Sequence, residues 1–473
     1  MHLDAQTPVP RPPADLPDSV GALRAAGHEA RTVKAEVRDN LVARLREGVD
    51  PFPGIVGFDE TVRPDLERAL LAGHDVVLLG ERGQGKTRLA RTLIGLLDEW
   101  QPVVAGCEIN DHPYQPVCVR CLRLADELGG ALPLQWRHRS QRYGEKLATP
   151  DTSVGDLIGD VDPIRVAEGR SLGDPETVHF GLVPRTNRGI FVINELPDLA
   201  ERIQVALLNV LEERDLQVRG YQLRLPLDVL VVASANPEDY TNRGRIITPL
   251  KDRFGAEIRT HYPLRLEDEM AVVRQEADLV AHVPDHVLEI LARFTRTVRE
   301  SPSVDARSGV SARFAVAAAE TVAGSALRRA AITGDDPVAR VGDLAGVVGT
   351  LRGKVEFDVS EEGRETEVLA HLLRRAVADV FRDRLRGEDL SAFMARFDEG
   401  GEVVTGDLVA SATLLREVGP VEGLGRLVTK VDPEGGDSPA AAAATLEFVL
   451  DGLWLTRRLS KAEIGGRVVY GAA

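Results

Sequence analysis

Cysteine, methionine and aromatic residues are scarce in this chain: three Cys, three Met and three Trp in 473 residues, with aromatics at 4%. So few cysteines exclude a disulfide framework and agree with a reducing compartment. No apolar stretch approaches the roughly 18 residues that a spanning helix needs. Residues 1–8 carry neither a basic n-region nor an apolar h-region, so the expectation is a cytoplasmic protein without a membrane partner. Positive charge is also in deficit, with 58 Lys and Arg against 74 Asp and Glu and a net charge of −16. That balance argues against a broad surface for nucleic-acid phosphates, which need clustered Lys and Arg. What the chain does have is apolar bulk, 43% of its residues, over a length that suits about three domains.

Glycine supplies the strongest motif. Residues 80–87 read Gly80-Glu-Arg-Gly83-Gln84-Gly85-Lys86-Thr87, a complete G-x-x-x-x-G-K-[ST] loop. Val76-Val77-Leu78-Leu79 before it suits a buried strand, and residues 88–94, from Arg88 on, suit a helix; these are the flanks such a loop depends on. The three glycines let backbone N–H groups close around phosphate oxygens, and the helix start adds its unpaired donors. Lys86 is expected to neutralise the β- and γ-phosphates and Thr87 to ligand Mg²⁺. The loop therefore predicts an ATP or GTP site.

Along the chain, five prolines in residues 1–20 predict a mobile arm, and Val33, Val37, Leu41 and Leu45 recur at helical spacing up to Gly48, giving a first region of 1–50. Alternating strand and helix patterns over 51–265 predict a parallel α/β core. Residues 266–352 predict an all-helical lid. Residues 353–473 predict a further helical region, where Ser438-Pro439 offers an N-cap and a first-turn proline.

Two core strands end in polar residues, at the sheet edge where ligands bind. The apolar run from Gly189 ends in Asn194-Glu195, and the run 229–235 leads to Asn236. Glu195 is the candidate general base for water attacking a γ-phosphate, and Asn236 the candidate for holding that water. Asn194 stands where an Asp usually supports Mg²⁺; a neutral amide adds no negative charge, so metal affinity or turnover is expected to be lowered, and Asn194→Asp to raise them. Arg253 and Arg313 are candidates for transition-state charge, since a guanidinium is planar, permanently charged and multidentate.

Together with residues 52–57, 148–152, 186–190, 207–213 and 252–255, these motifs resemble the AAA+ ATPases, in the branch of the magnesium chelatase ATPase subunit and the MoxR-type ATPases. The resemblance covers roughly residues 50–350. It implies an AAA+ P-loop core with a parallel sheet followed by a helical lid, with Asn236 as sensor 1, Arg253 as an arginine finger reaching a neighbour's site and Arg313 as sensor 2. It also implies a ring, commonly of six subunits, and a separate von Willebrand A-type partner.

Two insertions show in the spacing. Residues 215–225 alternate about Arg219-Gly220 like a β-hairpin, and in the family such hairpins face the central pore; Arg219, Tyr221 and Arg224 would there grip a partner, against the alternative of a solvated hairpin face. In the other insertion all three cysteines fall within Cys107-x4-His112-x5-Cys118-x2-Cys121. That spacing suits a closed Cys₃His zinc site. The alternatives are three reduced cysteines beside a surface histidine, or a redox Cys-x-x-Cys, which lacks its usual βαβ setting.

The activity expected is ATP hydrolysis coupled to remodelling of a protein partner, in a chelatase-like or MoxR-like role. A nucleotide-gated scaffold with little hydrolysis is a rival reading. So is a DNA-linked motor or enhancer-binding activator, against which stands the absence of the activators' Gly-Ala-Phe-Thr-Gly-Ala loop.

Overall fold

The computed structural model describes residues 8–161, 177–212, 215–218, 221–237, 245–305, 309–421, 423–436, 438–464 and 467–473. The chain divides into two compact units, Met1–His261 and Tyr262–Ala473. Among the described residues no helix is long and apolar enough to cross a membrane.

The strands of the first unit are β1 (Val76–Leu79), β2 (Trp100–Val104), β3 (Leu134–His138), β4 (Tyr143–Leu147), β5 (Gly159–Val161), β6 (Val178–Phe180), β7 (Gly189–Asn194), β8 (Asp215–Val218), β9 (Tyr221–Arg224), β10 (Val229–Ala235) and β11 (Ala256–Arg259). Five of them form one parallel sheet in the order β11-β1-β10-β7-β4, while β2–β3, β5–β6 and β8–β9 pair as antiparallel ribbons. Apolar continuity in β1, β7 and β10 follows from burial on both faces. Val77, Leu79, Phe191, Ile193, Val231 and Ala233 point to one core. Val76, Leu78, Ile190, Val192, Leu230 and Val232 point to the other, with period-two alternation.

That second core is completed by the helix Val33–Glu47. Thr32 Oγ1 caps its start by accepting from Ala35 N at 3.2 Å, and Gly48, at φ 68°, ends it in the left-handed region. Val33, Val37 and Leu41 are buried, whereas Leu45 stays exposed. From the same helix Glu36 reaches Arg142, whose Nη1 and Nη2 donate to its two carboxylate oxygens at 2.7 and 2.6 Å. The end of the proline-rich stretch is tied down too: Trp136 Nε1 donates to Pro17 O at 2.8 Å and Leu134 N to Asp18 O at 2.8 Å.

The second unit is mainly helical. One continuous core joins the helices Leu266–Glu276, Asp285–Glu300, Ala312–Thr333, Glu365–Arg384 and Pro439–Leu455. The last begins as the sequence pattern predicts, with Ser438 Oγ accepting from Ala441 N at 3.1 Å and proline in its first turn. A small antiparallel sheet, β12 (Val403–Thr405), β13 (Leu459–Ile464) and β14 (Arg467–Ala472), adds to the helices that the sequence announces. In β13 and β14 only Leu459 and Tyr470 are buried, so these strands carry almost no apolar alternation to read.

Candidate nucleotide-binding and catalytic site

The sheet order places β1 between β10 and β11, with the chain leaving it in one direction and returning on the other side. The loop after β1 therefore opens at the switch point where open α/β sheets bind ligands. Gly83 and Gly85 take φ values of 75° and 76°, a conformation that L side chains rarely adopt. A Cβ on Gly80 would meet Thr260 Oγ1 at 2.0 Å and Gln84 Oε1 at 2.2 Å, so only glycine fits there. Gln84 is buried and Arg88 half-buried, and Thr260 Oγ1 donates to Gln84 Oε1 at 2.8 Å. The helix Lys86–Thr92 starts at once after Gly85.

Lys86 is only 6% exposed, and its ammonium donates to Glu81 O and to Asn236 Oδ1, each at 2.8 Å, and also to Gly80 O. Asn236, one residue past β10, turns its Nδ2 to Glu195 Oε2 at 2.6 Å. The sheet edge thus carries a hydrogen-bonded chain from Glu195 through Asn236 to Lys86. Glu195 itself sits at φ 57°, ψ 49°, where a residue with a side chain costs on the order of 1–3 kcal/mol. Its N–H donates to Ser234 Oγ at 3.2 Å. Such strain is kept where a side chain must be aimed.

Beside it, Asn194 is fully oriented. Its Oδ1 accepts from Thr87 Oγ1 at 3.2 Å and from Ser234 Oγ at 3.3 Å, while its Nδ2 donates to Glu145 Oε1 at 2.8 Å. Glu145 lies on the edge strand β4 and also accepts from Arg91 Nε at 2.8 Å, Arg91 Nη2 at 2.9 Å and Tyr143 Oη at 2.9 Å. Burial pushes the Glu145 carboxyl up, but the bonds from Arg91, Tyr143 and Asn194 outweigh it and hold the group below the usual carboxylate range. Burial and that same carboxylate push the Tyr143 phenol well up. The position that the sequence leaves neutral is therefore backed by a carboxylate from the next strand.

Arg253 closes the helix Thr248–Arg253 and is exposed. Arg313 belongs to the second unit, as the exposed second residue of the helix Ala312–Thr333. The hairpin pairs Val218 with Tyr221 and Asp215 with Arg224; Arg219 and Gly220 lie outside the described residues.

The cysteine stretch comes together differently from its spacing. Cys107, Cys118 and Cys121 gather with Asp111, their ligand atoms all within 4.8 Å of one another, and His112 is not in the group. His112 Nδ1 accepts from Tyr114 N at 3.0 Å inside its own turn, and its buried Nε2 has no hydrogen-bond partner among the described residues but is outside the group. Burial, with Arg188 and His28, pushes His112 down to about 3, so its ring is neutral. Hydrogen bonds from Cys118 and Cys121 hold the Cys107 thiol down.

Sequence reasoning missed Glu145, Ser234, Thr260 and Asp111. Ser234 has a readable signal, as a polar residue near the end of an apolar strand. Glu145 and Thr260 have none, since only the pairing of β4 with β7 brings the first to Asn194, and only that of β11 with β1 brings the second to the glycine loop.

Residues 168–253 match the Sigma-54 interaction domain. The magnesium-chelatase subunit ChlI of Nostoc sp. is 30% identical over 247 residues, 50% of this chain and 61% of its own length. The magnesium-chelatase 38 kDa subunit of Rhodobacter capsulatus is 28% identical over 248 residues, 52% of this chain and 65% of its own length. The chain thus spans less than two thirds of either relative. A chain from a complex between subunits BchI and BchD of magnesium chelatase matches at 23% identity over 70% of this chain and 95% of its own, with a TM-score of 0.35. Parallel sheet, glycine loop and polar strand ends define a P-loop nucleotide-binding module of the AAA+ class. Within that class the chain is similar to the magnesium-chelatase ATPase subunits.

Proposed function

We propose that this chain is an ATP-hydrolysing subunit of an AAA+ ring that uses nucleotide turnover to remodel or activate a protein partner. The observation that supports this most is the chain Glu195–Asn236–Lys86, which joins the candidate base to the phosphate-binding lysine through one amide. In this reading Lys86 leaves the loop carbonyls for the β- and γ-phosphates, and Asn236 and Glu195 are freed to hold and polarise the attacking water.

A magnesium ion fits the donor set here, because Thr87 offers a hydroxyl, Asn194 a hard amide oxygen and Glu145 a carboxylate behind it. When bound, the ion supplies neutralisation of phosphate charge. Arg253, exposed at a helix end, is assigned to a neighbouring subunit's γ-phosphate, and Arg313 to sensing the nucleotide from the lid. A ring of six, a separate von Willebrand A-type partner and a cytoplasmic setting complete the reading. The relatives' names make a chelatase complex one setting for it and a MoxR-like chaperone role another.

Calorimetry and steady-state assays on two variants test it. Lys86→Ala is expected to abolish ATP binding, and Glu195→Gln to keep binding and lose turnover. Equal ATP affinity in wild type and Lys86→Ala overturns the assignment. The match of residues 168–253 to the Sigma-54 interaction domain favours a second reading, a transcription activator. Stimulation of turnover by sigma-54 holoenzyme is the outcome that selects it.

A further inference from the structure

We propose that Cys107, Asp111, Cys118 and Cys121 hold one structural zinc ion, with Asp111 rather than His112 as the fourth ligand. The site stands on its own residues and does not depend on the ATPase reading. Cys107 and Cys121 are 3% and 0% exposed and Asp111 is 0% exposed, so three of the four ligands are withdrawn from water. All four ligand atoms lie within 4.8 Å of one another. A tetrahedral ion with Zn–S bonds of about 2.3 Å needs sulfurs about 3.8 Å apart, which a small inward adjustment supplies.

The carboxylate points to the ion most directly. Asp111 Oδ2 accepts from Cys118 N at 2.9 Å, but Oδ1 is buried and has no hydrogen-bond partner among the described residues. A carboxyl oxygen left without a partner in the interior is costly, and a cation at the centre of the cluster resolves it. The sulfurs are prepared in the same way. Asp111 N donates to Cys107 Sγ and Cys121 N to Cys118 Sγ, each at 3.3 Å, and Arg120 Nη1 stands 3.9 Å from Cys121 Sγ. Backbone N–H groups aimed at sulfur orient the ligands and stabilise the thiolate form that a metal requires. Four protein ligands leave no open coordination position, so the ion braces structure and performs no chemistry.

What it braces is the approach to β7. Asn187 Nδ2 donates to Ile109 O at 3.0 Å and Asn110 Nδ2 to Arg185 O at 2.7 Å, joining the cysteine loop to the corner that feeds β7. Cys107 and Cys121 share a core with Phe191 and Ile193 of that strand.

The test uses the full chain purified without chelator. Elemental analysis is expected to find about one zinc per chain, with the three thiols unreactive until a strong chelator is added. His112→Ala is expected to keep the metal, and Asp111→Asn to lose it on dialysis against a weak chelator. Cobalt exchanged into the wild type should show the d–d bands of a tetrahedral ion. Zinc near zero with all three thiols freely titratable overturns the site; an iron–sulfur absorption spectrum overturns the metal. Loss of zinc in His112→Ala but not in Asp111→Asn overturns the ligand set. The wild-type measurements decide even if Asp111→Asn fails to fold.

Discussion

Asn194 donates its amide N–H to Glu145 across neighbouring parallel strands at 2.8 Å, and so turns its amide oxygen to Thr87. A carboxylate at position 194 would face the Glu145 carboxylate at that same distance, and two such groups do not both ionise. The sign expected from sequence alone is thereby reversed. Asn194→Asp should lower magnesium-dependent turnover, by about tenfold if the clash is worth one pKa unit. Glu145→Gln should lower it as well, by removing the charge, and the double variant Asn194→Asp/Glu145→Gln should recover activity relative to both. Titrating ATPase rate against Mg²⁺ in the four proteins checks this. Higher turnover in Asn194→Asp alone would sink the idea.

Arg253 is exposed at a helix end of its own unit, a placement that suits action on a neighbour. Arg253→Ala and Glu195→Gln should each be inactive alone. Mixed, they should regain a fraction of wild-type ATPase activity, because some interfaces pair an intact finger with an intact base. Co-assembly is established separately by light scattering. Mixed rings with no recovery count against a finger acting between subunits.

How far the site was legible depended on the range of the contacts. The loop at 80–87, the pair Asn194-Glu195 and Asn236 are each written in a strand and its next residues, so their places at the sheet edge followed from local pattern. Glu145 is 49 residues from Asn194, on an edge strand whose residues Tyr-Gly-Glu-Lys-Leu form no apolar run. Spacing rules could not choose between Asp111 and His112, which are adjacent; only the folded loop shows that it is the Asp111 carboxylate that gathers with the three sulfurs. The helices of the second unit announced themselves by periodicity and by Ser438-Pro439, but the strands after Leu459 bury too little to leave a pattern.

Glu36 and Arg142 form a bidentate pair with side chains only 3% and 1% exposed. Glu36 Oε1 also accepts from Asp98 N at 2.7 Å, and Arg142 donates to Arg188 O at 3.0 and 2.8 Å. Glu36→Ala leaves a buried guanidinium without its partner, so it should destabilise the first unit by about 3–5 kcal/mol. Replacing both residues, as in Glu36→Leu/Arg142→Met, should cost less than the single change. Urea unfolding followed at Trp100 and Trp136 measures it, and a loss below about 1 kcal/mol for Glu36→Ala contradicts the argument.

His286 is 0% exposed, its ring centroid is 4.7 Å from that of Phe448, and neither ring nitrogen has a hydrogen-bond partner among the described residues. Burial pushes it down to about 3, with Arg384 adding to the effect against Asp432. Its folded value lies below the unfolded one, so the unfolded chain takes up the proton first. Stability present above about 6.5 is therefore lost as pH falls toward 3, by up to about 1.4 kcal/mol per pH unit. His282 acts in the opposite sense. Its hydrogen bond with Asp432 at 2.8 Å outweighs burial and raises it, so its contribution is complete below about 6.5 and fades as pH rises through the folded value. His286→Leu should keep the His282 behaviour and lose the acid-side slope. Between pH 6.5 and about pH 5 the wild type should lose on the order of 2 kcal/mol more than the variant, read from urea unfolding of the second unit. Parallel pH profiles in the two proteins would mean that His286 is protonated inside the fold, with Asp432 and the Val431 backbone outweighing its burial.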